Sequence, residues 1–305
     1  MLRASQNDRN RTRWLEWHPV RVPERLLERY EAGDRVAVWD ELRGLGSEVF
    51  DPALLGEATA VADATMRRVV TNIQLLAARL TASHYRFSAA YDWNRSRRHA
   101  PPEVRNRYDP RTWGGDASWL DGQEVDEHRY QWWPPDSSIE DKLARARRLV
   151  GPLPIALDAY WRHVGPVDLS GSFPDWDPPA NEFEGLARDV TPRFTDPLES
   201  LGVGMVLDYV DDDGNLILSR HGDDRWTVQW AADELTKAGI SGGCYEIQVP
   251  DLVADPISFG HRHRPGITLV EYLRLTFEWG GFPGFEFNPP VPPEIAMLRT
   301  GLLPI

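Results

Sequence analysis

Cysteine is nearly absent: Cys244 is the only one in 305 residues. One thiol cannot build an internal disulfide framework or the multi-cysteine ligand sets of structural zinc sites, so a reducing, cytoplasmic setting is expected. Long apolar runs are also missing. None approaches the roughly 20 residues needed to cross a bilayer, and the opening MLRASQNDRNRTRW is basic and polar with no apolar stretch behind it. Neither export nor membrane insertion is expected. Positive charge is in deficit, with 34 Lys and Arg against 47 Asp and Glu and a formal net charge of -13. Such a surplus repels phosphate backbones, which argues against nucleic acid as a partner. The chain also lacks a glycine-rich phosphate loop, a dinucleotide fingerprint and the glycine–X–serine–X–glycine elbow of serine hydrolases. No cofactor is expected.

What is present is the material of a globular protein, 41% hydrophobic and 27% charged with 13 tryptophans. The pattern divides the chain into a helical N-terminal region (1–91), a Trp/Pro/Arg-rich connecting segment (92–137) and an α+β domain (138–305). In the first region, PERLLERYEAGDRVAVWDELRGL predicts two short helices ended near Gly33 and Gly44. A long amphipathic helix over 56–83 follows, with Val61, Val69, Ile73, Leu76 and Leu80 on its buried face and Arg67, Arg68, Gln74 and Arg79 opposite. The connecting segment loses this periodicity. Its arginines (Arg95, Arg97, Arg98, Arg105, Arg107, Arg111) read as a solvated answer to the chain's own carboxylates, and its five tryptophans as a clamp between the N-terminal helices and the rest.

After residue 138 the signals sharpen. IEDKLARARRLVG and PIALDAYWRHV predict helices, the second with Pro154 in its first turn and Gly165-Pro166 as its stop. VDLSGSF, MVLDYV, LILSR, TVQW and YEIQV read as strands of an antiparallel meander, and ADELTKAG as a short helix between the last two. The final helix carries a capping box, Thr268 with Glu271 three residues on, and stops at Gly280-Gly281. The expected fold class is α+β, mainly antiparallel sheet flanked by helices, with the helical N-terminal extension.

Candidate chemistry is sparse. His261 and His263, two apart, point the same way on a strand and could share an ion with His221 or Asp223, but HRHRPG reads better as a polar loop whose arginines repel a cation. Asp211, Asp212 and Asp213 fail the calcium-loop pattern, since position one would be Tyr209, and remain as an acidic hairpin tip. Cys244 has no histidine close to it in sequence. Asp175, Asp177, Glu182 and Glu184 crowd SFPDWDPPANEFEG, where prolines stiffen the loop around Trp176. That loop is expected to be exposed. No catalytic residue and no metal ligand is assigned. The rival reading is a hydrolase using these carboxylates or a histidine-held metal.

Residues 138–290 resemble the SUKH superfamily, on LPIALDAYWRHVGPVDLSGSFPDW with Leu153, Pro154, Leu157, Tyr160 and Gly165 in the family's helix pattern, and on ITLVEYLRLTFEWGGFPGF. The long N-terminal half and the GGFPGF ending depart from that family. The resemblance implies a mixed α+β core and a binding role: bacterial members are immunity proteins that neutralise a cognate toxin, and fungal relatives regulate cell-wall assembly. A protein partner is therefore expected, a toxin domain in the sharpest version. Inhibitors of basic nuclease sites need an acidic, aromatic-rich face. The contact surface is accordingly expected at Asp175, Trp176 and Asp177 and at Asp211, Asp212 and Asp213. Trp279 and 282–285 are expected to close the core, with GGFPGF folding back over a sheet edge.

Overall fold

The computed structural model describes residues 25–87, 131–173, 176, 195–211, 213–218, 220–221, 225–232, 244–261, 263–287 and 289–305. Helix α1 (Leu26–Ala32) ends where Gly33 takes φ 117°, and α2 (Arg35–Gly44) follows, as the glycine spacing predicts. A 3-10 turn (Gly46–Phe50) leads into α3 (Pro52–Ala82). The long helix begins earlier than its apolar periodicity suggests, because Asp51 caps it by accepting the Ala53 amide at 2.8 Å and Pro52 suits the first turn. Val61, Val69, Ile73, Leu76 and Leu80 are all fully buried.

Two-residue strands β1 (Arg86–Phe87) and β2 (Gln131–Trp132) precede α4 (Ile139–Val150) and α5 (Ile155–His163). Every residue of α5 from Ile155 to Trp161 is buried, so this helix lies inside the molecule. It packs along α3, where Arg162 bridges Asp63 of α3 (3.2 Å), Glu140 of α4 (2.9 Å) and Asp158 of its own helix. His163 Nε2 meets the same Asp63 at 2.9 Å.

VDLSGSF does not run as one strand. Its two ends form β3 (Val167–Asp168) and β4 (Gly171–Ser172) in different sheets. Asp168 turns the chain between them by accepting the Ser170 amide at 2.8 Å, an Asx-type turn that ends ladder pairing. β4 pairs antiparallel with β1, and β3 lies between β2 and β5 (Glu199–Ser200), also antiparallel. MVLDYV departs from expectation as well: it contributes a helical turn, α6 (Gly204–Leu207). A short apolar run has no period of its own, and here packing decides, with Val203 and Val206 buried three apart and α6 lying against α4.

The third sheet is antiparallel, β6 (Arg220–His221), β7 (Arg225–Ala231) and β8 (Tyr245–Val249). Val228 opposite Ile247 and Trp226 opposite Val249 fix its register, with a bulge between Gln229 and Ala231. TVQW and YEIQV are strands as read, while the helix expected at 233–239 lies outside the described residues. α7 (Leu269–Glu278) carries the full capping box: the Thr268 amide donates to Glu271 Oε2 (3.1 Å) and the Glu271 amide to Thr268 Oγ1 (3.3 Å). Gly280 and Gly281, at φ 60° and 95°, turn the chain into a 3-10 turn (Pro283–Glu286), and α8 (Pro293–Arg299) completes the order. The fold is α+β. Side chains of α1 to α3 and of the later elements share one buried cluster.

Candidate binding surface

Trp176 is not at the surface. It is 5% exposed and sits edge-on against Phe173 (4.8 Å between ring centres), Phe285 (4.8 Å) and Phe282 (5.2 Å), with Tyr85 at 6.3 Å. A turn from Phe173 O to the Trp176 amide (2.9 Å) swings the ring inward, and its indole N–H reaches Glu294 at 3.4 Å. The physical reason is the one that makes such a ring costly in water: an indole gains more by burial than any exposed contact returns. Its expected neighbours in the contact surface, Asp175 and Asp177, lie outside the described residues, as do Asp212, Glu182 and Glu184.

The GGFPGF stretch supplies the other half of this aromatic cluster, and its backbone does run beside β5, with Gly281 O accepting the Leu198 amide at 2.9 Å and the Gly284 amide reaching Thr195 O at 3.1 Å. Phe282 and Phe285 are buried and Trp279 is half-buried. Of the connecting segment's tryptophans, Trp132 is tied to the end of α5 through Nε1 to Val164 O at 2.8 Å, and Trp133 is exposed. Trp93, Trp113 and Trp119 fall outside the described residues.

The acidic hairpin is a built structure. Val210 and Leu216 form a bridge, and the Ile217 amide bonds to Tyr209 O at 3.0 Å. Asp211 organises the tip: its carboxylate accepts the amides of Asn215 (2.7 Å) and Asp213 (3.1 Å) and the Asn215 side-chain amide (3.2 Å). The Asn215 amide, more than any other group, holds the Asp211 carboxyl below the usual carboxylate range. Asp211 is therefore partly occupied in holding the turn, and Asp213 and Asp208 present exposed carboxylates on either side. Between them the hairpin exposes two apolar side chains, Tyr209 (39% exposed) and Ile217 (60%). These two were missed in the sequence because MVLDYV looked like a meander strand. Part of the signal was there in alternation: Leu216 and Leu218 pack against the core, and period two turns Ile217 between them outward.

Of the histidines weighed for catalysis, His261 is enclosed. His261 is 4% exposed, stacked on Tyr245, with Nε2 at 3.0 Å from Ser258 Oγ. A serine beside a histidine is how a nucleophile is activated, but this Ser258 is itself buried and also accepts the Trp230 indole N–H at 2.8 Å. His263 is exposed next to Phe287, so the two histidines do not converge. Among the described residues, no three His, Cys, Asp or Glu side chains are placed to hold a metal ion. Cys244 is half-buried.

Two buried ion pairs brace the region. Asp196 receives Arg264 at 3.1 Å and the Tyr272 hydroxyl at 3.0 Å. Asp255, fully buried beneath the start of α7, accepts Thr268 Oγ1 (2.6 Å), the Val270 amide (3.0 Å) and Arg43 (3.0 Å). Burial pushes the Asp255 carboxyl up to about 6, against the opposing pull of these donors. Both are structural clamps. Compared with known proteins, the chain matches no family model, no curated protein and no solved structure.

Proposed function

We propose that this chain is a non-catalytic protein-binding module that presents the 208–217 hairpin to a basic surface of a partner protein. The observation that carries the reading is the pairing of exposed Tyr209 and Ile217 with exposed Asp208 and Asp213 on one hydrogen-bonded turn. Apolar side chains held in water at a cost, rimmed by charge of one sign, make an anchor with electrostatic steering. A net charge of -13 extends that steering over the whole molecule.

The resemblance of residues 138–290 to the SUKH superfamily supports a sharper version. The partner is then a toxin domain with a cationic active-site face, and the chain is its cytoplasmic immunity protein in a bacterial toxin system. Co-expression with the product of an adjacent toxin-like reading frame tests this. Growth restored by the wild type, and lost with the double substitution Tyr209→Ser and Ile217→Ser, is the expected result. Equal protection by both chains places the contact elsewhere, and no protection by the wild type removes the immunity reading.

A further inference from the structure

We draw no further inference here: the strongest candidate, the surface patch of exposed Ile257 and Phe259 on the stretch bridged to Glu246 of β8, carries nothing, because nothing among the described residues shows what covers it.

Discussion

Asp255 is a carboxyl whose burial outweighs its partners. Its folded pKa, about 6, stands above the 3.8 of a free aspartate. A raised carboxyl pKa contributes stability that is fully present below the unfolded value and is lost as pH rises through the folded one. Between pH 4 and pH 7 the wild type should therefore lose stability relative to Asp255→Asn, by up to about 3 kcal/mol at roughly 1.4 kcal/mol per unit. Urea unfolding of both chains across that range checks it, and a pH-independent difference would contradict it. Trp176 gives a second prediction at this scale. Emptying its place among Phe173, Phe282 and Phe285 should cost about 3 to 5 kcal/mol in Trp176→Ala, read as a lowered urea midpoint. None of this burial was legible in SFPDWDPP. Proline-flanked carboxylates describe an exposed loop equally well, and beyond the local Phe173 the ring's partners Phe282, Phe285 and Glu294 lie over a hundred positions away.

At the scale of elements, the strongest local signals held. The capping box of α7 is a purely local device, four residues long, so its residues alone specify it. Thr268→Ala should destabilise the protein by about 1 to 2 kcal/mol, from the lost cap and the lost bond to Asp255. Gly280 is as strict at the other end: its φ is 60°, and a Cβ there would stand 2.8 Å from the Leu298 Cβ. Gly280→Ala is expected to cost about 1 to 2 kcal/mol by the same assay, whereas Gly301→Ala, with open space around it and the same left-handed strain, should cost less. β7 and β8 were legible because alternation and β-branched content coincide over several residues. α6 and the division of VDLSGSF were not, because each depends on what the chain meets in space: α4 for the first, and for the second β1 on one half and β2 and β5 on the other.

For the whole molecule, the buried Asn72 and two arginines of α3 have a role that periodicity does not state. Asn72 bonds both ways to the Leu303 backbone (2.9 and 2.7 Å), Arg79 reaches Leu298 O (2.5 Å) and Arg68 reaches Pro304 O (3.3 Å). Together these polar side chains clamp residues 298–305 onto α3. Asn72→Ala should raise amide hydrogen exchange over 302–305 while leaving β7 and β8 protected. The proposed surface was half legible: the acidic tip stood out, its apolar flanks did not, and Trp176, expected in it, belongs to the core. The central claim is that the hairpin is where a partner is held. It is tested most directly by placing a photo-crosslinking amino acid at Ile217 and, in a control chain, at Val36, which is 57% exposed on α2. The account predicts one basic protein crosslinked in its native cell from Ile217, suppressed by high salt and absent from Val36. Equal crosslinking from both positions, or none from Ile217, would contradict it.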